Sequence, residues 1–170
     1  RLARRMGEIS DAPLFIDDSP NLSMMEIRAK ARRLKQRHDL KLIVIDYLQL
    51  MSSGKRVENR QQEVSEFSRH LKLMAKELDI PVIAISQLNR SPEQRADKKP
   101  MLSDLRESGS IEQDADLCLF LHRPSMYKKV KDGVPPPPDE FIIEKHRRGK
   151  TGIINMEYVG DHYKYIEGID

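Results

Sequence analysis

Apolar positions along this chain follow two different periods, and the switches between them mark its elements. From Asn59 to Leu78 the residues Val64, Phe67, Leu71, Met74 and Leu78 step by three or four, while Arg60, Glu63, Arg69, Lys72 and Lys76 fall elsewhere. That spacing predicts an amphipathic helix. Lys41 to Gln49 is instead a solid apolar run interrupted by Asp46. It is too short to span a bilayer and predicts a strand buried on both faces of a parallel sheet. Pro81 to Ser86 is a second such strand, with proline tolerated at its first position. Leu14 to Asp17, bounded by Pro13 and by Ser19-Pro20, reads as a third. Between the first two strands in chain order, Ser23-Met-Met-Glu26 has the form of a capping box, with Leu22 placed to staple against Ile27. A helix with a basic face is expected from Met24 to about Arg37. Strand, helix, strand, helix, strand is the order of an α/β fold with a mostly parallel sheet and right-handed crossovers.

Beyond Gln87 the pattern becomes polar and charged as far as Lys99, punctuated by Pro92 and Pro100. The stretch is too long for a simple connection and reads as a mobile loop of the kind that carries function beside strand ends. Asp116 to Leu121, Glu140 to His146 and Ile153 to Tyr158 read as further strands. The Gly149-Lys-Thr-Gly152 turn predicts that the last two form a carboxyl-terminal β-hairpin. Pro135 to Pro138 reads as a stiff spacer between strands. No internal repeat is present.

Composition narrows the classes. With 170 residues, 38% hydrophobic and 34% charged, the chain has material for one core and one domain. A formal charge of +3 does not by itself force a nucleic-acid reading. Cys118 is the sole cysteine, so an intrachain disulfide is excluded, and its apolar setting predicts a small buried hydrophobe. The histidines show no metal-ligand spacing, and no zinc site is assigned. Tyr158, Tyr163 and Tyr165 are expected to pack in the core or at its rim. No run of membrane-spanning length and no signal-peptide pattern occurs, which predicts a cytoplasmic protein without membrane contact. The chain opens on Arg1 rather than methionine, which reads as a piece of something longer.

Asp46, at the carboxyl end of a buried strand, has the placement of a Walker B aspartate that helps hold a magnesium ion against phosphates. An aspartate there can also simply cap the next turn. On the last hairpin, side-chain alternation puts Lys145 and Arg147 on one face and His146 and Arg148 on the other. Lys145, Arg147, Arg148 and Lys150 also fit a solvated basic turn.

Four segments taken together, Ile45 to Leu50, Ile85 to Arg90, Asp104 to Asp114 and Lys145 to Gly149, resemble the hexameric DnaB-type replicative DNA helicases. The resemblance runs over essentially the whole chain. It implies a RecA-like motor domain of which residues 1–170 form the carboxyl-terminal part. It implies ATP and Mg2+ as cofactors, with Asp46 on the metal side and Gln87 as the sensor of the γ-phosphate. Arg147 becomes the arginine finger, with Lys145 as its companion, reaching a nucleotide held by a neighbouring subunit. Arg106, Glu107 and Gly109 match the family's DNA-loop signature, and Arg90, Arg95, Lys98 and Lys99 form a second candidate DNA contact. With aromatics at only 5%, base stacking is not the expected binding mode. The implied partners are single-stranded DNA, identical subunits in a homohexameric ring, a primase and a helicase loader, at the bacterial replication fork.

The pattern departs from the family at one decisive place. No G-x-x-x-x-G-K-[ST] phosphate loop occurs in residues 1–170, and the partial match at Gly149-Lys-Thr lacks the first glycine, which is Glu144 here. The family's catalytic glutamate, amino-terminal collar and linker helix are expected upstream. Alone, the chain is expected not to hydrolyse ATP, and with an exposed sheet edge it is expected to aggregate, to stay partly disordered or to be paired with another chain. Two other readings remain open: another RecA-like ATPase, which would lack the Asp104 to Asp114 segment, and a non-catalytic module for DNA binding or assembly.

Overall fold

Helix α1 (Met24–His38) starts where Ser23 sets it: the Ser23 hydroxyl accepts from the Glu26 N–H at 3.3 Å and the Glu26 carboxylate accepts from the Ser23 N–H at 2.9 Å. The predicted capping box is therefore formed. The helix ends at Asp39 in the left-handed region, whose N–H donates to the Lys35 carbonyl. The computed structural model describes residues 7, 12–20, 22–51, 60–127 and 137–168, with the backbone alone at 106–108.

Strand β1 (Ile43–Ile45) runs parallel to β2 (Val82–Ala84), with Ile43 opposite Val82 and Ile45 opposite Ala84. The crossover between them is helix α2 (Arg60–Leu78). Its predicted apolar stripe, Val64, Phe67, Leu71, Met74 and Leu78, is buried throughout. With Ala31, Leu48, Met51 and Ile80 it makes the main core. One polar position of that helix was misplaced by pattern alone. Glu63 is buried, and Arg60 of the same helix supplies its counter-charge. The basic face of α1 is used inside the fold, because Arg28 and Arg32 both reach Glu77 of α2. Those two guanidiniums, Arg32 first, hold the Glu77 carboxyl below its ordinary range.

After a short helix α3 (Ser91–Gln94) and a 3₁₀ segment (Leu102–Ser108), helix α4 (Gly109–Asp114) leads into β3 (Leu117–His122). Strands β4 (Asp139–His146), β5 (Gly152–Val159) and β6 (Lys164–Glu167) follow. They form one antiparallel sheet in the order β3-β4-β5-β6, so the predicted hairpin is the centre of a larger meander. Cys118 is buried, as its setting predicts, and burial raises its thiol pKa.

Three expectations are corrected. Leu14 to Asp17 is not a strand: among the described residues the segment pairs with no other, and Ile16 is 83% exposed. A strand exists only through its ladder, and a cleft of about 530 Å³, lined by Phe15, Asp17, Val44 and Asp46 among others, lies between this segment and β1. Strands β1 and β2 are not covered on both faces either. Val44 and Ile83, paired side by side, are 57% and 52% exposed. Their neighbours Ile43, Ile45 and Val82 pack on the core instead. Tyr163 does not pack, being 87% exposed, while Tyr158 and Tyr165 do meet, with ring centroids 5.1 Å apart. Residues Pro135 and Pro136 of the proline run lie outside the described residues.

His122, the last residue of β3, is buried, and burial lowers its pKa from 6.5 against the opposing pull of Glu140. A depressed histidine costs nothing while both states are neutral. Below about 6.5 the unfolded chain takes up the proton first, so stability falls on acidification through that value. Neighbouring Asp139, raised by burial, acts with the opposite sign and only near the carboxylate range. Unfolding free energies of the wild type and His122→Gln are expected to diverge in slope between about pH 6.5 and 5; parallel curves there would refute the assignment.

Candidate functional site

Asp46 follows β1 directly and stands at the carboxyl end of the parallel pair. Its side chain is exposed and has no hydrogen-bond or ion-pair partner among the described residues. A capping aspartate would accept an N–H of the next turn. Here the Leu48 N–H goes to the Ile85 carbonyl and the Leu50 N–H to the Tyr47 carbonyl, which leaves the Asp46 carboxylate unoccupied by protein donors among the described residues. An oxygen-rich ligand set is what Mg2+ takes, with one or two carboxylates and the remaining positions held by water and phosphate. A free carboxylate at this place fits that group.

Gln87 lies three residues beyond the end of β2. Its side-chain amide is exposed and unengaged among the described residues, but its backbone is held firmly. The Gln49 amide closes a two-way clamp on it: Gln49 Oε1 accepts from the Gln87 N–H at 3.1 Å, and Gln49 Nε2 donates to the Gln87 carbonyl at 3.3 Å. The same Nε2 donates to Ser86 Oγ at 3.0 Å. Arg60 in turn donates to the carbonyls of Gln49, at 2.6 Å, and Met51, at 3.0 Å. The two strand ends are thus bolted together while their outward groups stay free. Sequence reasoning missed Gln49 and Arg60 as positioning groups. The available signal was a lone amide between Leu48 and Leu50, two apolar residues that fix which way it points.

Lys145 and Arg147 do share a face. Lys145 Nζ donates to the carbonyls of Glu112 and Gln113, the latter at 3.4 Å, and Arg147 Nη2 donates to Gln113 at 3.0 Å. Both cations hold the last carbonyls of α4, where a helix leaves acceptors unpaired and favours positive charge. Arg148 and Lys150 are exposed. A Cβ on Gly149 would meet the exposed His146 imidazole, which would have to turn aside.

Gly109 begins α4 and is exposed, with open space where a Cβ would stand. The side chains of Arg106 and Glu107 lie outside the described residues. Helix α4 is the surface helix that Glu112 to Asp114 could finish on the plainer reading of the sequence. The loop read as mobile is instead folded and pinned. Asp104, only 1% exposed, accepts from Arg95 Nη1 at 2.9 Å and from the Met101 N–H at 2.8 Å, and Arg95 also reaches the Lys99 carbonyl. Lys99 Nζ pairs with Glu140 at 2.8 Å, and Lys98 Nζ donates to the Glu93 carbonyl at 2.6 Å. A polar run long enough to be a free loop acquired structure because one buried carboxylate pairs with both terminal nitrogens of its arginine. Of the four candidate DNA cations in this stretch, Arg90 is the one whose charge is unengaged among the described residues.

Asp104→Ala is expected to cost about 3 kcal/mol of unfolding free energy, the low end for breaking a buried pair, since Arg95 is partly exposed and can rehydrate. Denaturant titration reads it; a loss below about 1 kcal/mol, the range of a surface pair, would show that the carboxylate is not the anchor.

Paired strand ends that present a carboxylate and an amide beyond the carboxyl ends of a parallel pair stand where open α/β sheets place their ligands. The model of the DnaB-like helicase C terminal domain matches residues 1–167, and the chain belongs to that family. It is 68% identical over 158 residues to the replicative DNA helicase DnaB of Mycobacterium leprae, covering 93% of this chain and 26% of that protein. It is 53% identical to DnaB of Geobacillus stearothermophilus over 98% of this chain and 36% of that protein. The chain therefore spans about a quarter to a third of the length of these curated relatives. Among solved structures, one described as an ATPase domain superposes with a TM-score of 0.90 at 41% identity, covering 99% of this chain and 59% of that one. A DnaB-like replicative helicase whose interactions with primase were described superposes with a TM-score of 0.88 at 42% identity, over 97% of this chain and 39% of that one. These neighbours are RecA-like helicase domains, so the α/β class read from the sequence holds.

Proposed function

We propose that this chain is the carboxyl-terminal part of the motor domain of an ATP-dependent replicative DNA helicase, which unwinds duplex DNA by moving a homohexameric ring along single-stranded DNA at the replication fork. The observation that carries the reading is the bolted pair of strand ends: Asp46 and Gln87 have side chains unengaged among the described residues, and the Gln49 amide ties the Gln87 backbone to the segment that follows Asp46. Preorganised groups of this kind cost no reorganisation at the moment of phosphoryl transfer. Asp46 would hold Mg2+, and Gln87 would report the γ-phosphate. Mg2+ supplies charge neutralisation on the transferring phosphoryl group.

Arg147 and Lys145 act on ATP bound by the adjacent subunit, which ties hydrolysis to ring assembly. Both hold the carboxyl end of α4, and α4 begins at Gly109. A shift of the finger strand is thereby passed to the DNA segment within one chain. Gly109, with Arg106 and Arg90, contacts sugar and phosphate rather than bases, which suits translocation without sequence preference, and Glu107 would fix the arginine or the loop, since a carboxylate repels phosphate. Arg95 and Lys99 serve this surface as its scaffold, since their charges are paired with Asp104 and Glu140, and Lys98 is held by the Glu93 carbonyl. Primase and a helicase loader are the partners this reading adds, the former in line with the solved relative.

The test is ATP hydrolysis by the chain carried on its natural upstream sequence, with and without single-stranded DNA at one stated salt concentration. Strong stimulation by DNA is the expected result. Hydrolysis indifferent to DNA would favour another RecA-like ATPase, and no hydrolysis at all would leave a module for assembly or DNA binding.

A further inference from the structure

Asp116 stands at the foot of β3, across the ladder from the turn that carries Arg147, since the next pair in register is Leu117 with His146. It meets Arg147 twice. Its carbonyl accepts from the Arg147 N–H at 2.8 Å, and its carboxylate Oδ1 lies 3.2 Å from Arg147 Nη1. The other carboxylate oxygen accepts from Lys72 of α2. With Nη2 on the Gln113 carbonyl at 3.0 Å, the guanidinium is gripped along one edge. A guanidinium has five N–H donors in a fixed plane, so donors remain on the ungripped side, and the side chain is half exposed. The Lys72 bond, and after it the charges of Lys72, Arg147 and Arg148, hold the Asp116 carboxyl below its usual range.

We infer that Asp116, itself tied to Lys72, is a positioning residue that fixes the plane of the Arg147 guanidinium so that its free edge meets the phosphate bound by the neighbouring subunit. The inference rests on the reading of Arg147 as a finger and deepens it. Lys72 links the arrangement to α2, the helix whose Arg60 holds the Gln49 strand end. One subunit's own nucleotide side and the finger it offers its neighbour are therefore braced on the same helix. A plain surface ion pair is the alternative, and pairs this exposed add little to stability. That makes the distinction a kinetic one, since removal of the carboxylate leaves the fold in place while freeing the finger.

In the full-length protein, Asp116→Ala is expected to lower kcat for ATP on the order of 10- to 100-fold, the loss that follows from misplacing a reacting group by about 1 Å, with KM for ATP little changed. Asp116→Asn, which keeps an acceptor but no charge, should fall between it and the wild type. Rings mixed from Asp116→Ala subunits and Asp46→Asn subunits supply what a structural defect would not. At a mixed interface the first kind offers an intact Asp46 and the second an intact Asp116 and Arg147, so hydrolysis should exceed that of either uniform ring. An unchanged kcat for Asp116→Ala alongside a dead Arg147→Ala would overturn the inference, as would a loss that mixed rings fail to restore. Full activity in Arg147→Ala itself would instead remove the finger reading beneath it.

Discussion

Replacing Arg147 with alanine is expected to lower the rate of ATP hydrolysis by the assembled protein roughly 10³- to 10⁵-fold, the range an arginine finger contributes to phosphoryl transfer. Arg147→Lys should rescue little. The arginine uses two donors on Gln113 and Asp116 and presents the rest, and a lysine has one ammonium centre that cannot hold the carbonyl and the phosphate in one plane. Lys145→Ala should cost less, because Lys145 is committed to the Glu112 and Gln113 carbonyls and acts chiefly through α4. The measurement is steady-state hydrolysis in rings whose assembly is checked independently, since a finger acting in trans is silent in a dissociated subunit. Arg148→Ala serves as the neighbouring control, since Arg148 lies in the same turn and is exposed. If Arg148→Ala were the dead variant and Arg147→Ala the active one, the assignment of the two arginines would be reversed.

Asp46→Asn is expected to lower kcat by on the order of 100-fold or more, because a metal ion is worth several kcal/mol of charge stabilisation at a transferring phosphoryl group. Its second signature is a raised requirement for Mg2+. The amide keeps the size of the side chain and loses the charge, and no described residue depends on that carboxylate for a hydrogen bond, so folding should be unaffected. Titration of hydrolysis against Mg2+ at fixed ATP reads both effects. A wild-type metal dependence in the variant would return Asp46 to the role of a plain loop residue.

Helices were the most legible part of this chain. Their stabilising contacts are set by local spacing: the period of Val64, Phe67, Leu71, Met74 and Leu78 needs only one apolar surface to lie against, and the Ser23 to Glu26 box is complete within four residues. Strands were less so. Leu14 to Asp17 has the composition of a strand and no ladder among the described residues, because pairing depends on what lies beside it and composition does not specify a neighbour. Strand β6 went unseen for the converse reason, as a short segment ordered by the hairpin edge it completes.

The candidate site divides along the same line. Asp46, Gln87, Lys145 and Arg147 could be named from motifs, and the face shared by Lys145 and Arg147 followed from strand alternation. What the motifs could not contain were the partners. Gln49 on the Gln87 backbone, Asp104 inside the loop and Asp116 on Arg147 join segments between 9 and 38 residues apart in sequence. By itself, then, the sequence determined the two long helices, the family and the identities of the groups proposed to face nucleotide and DNA, because spacing and side-chain chemistry are local properties. Only the tertiary structure decided which charges are free to act and which are spent as scaffold, because a hydrogen bond between distant segments exists only once the chain has folded to bring them together.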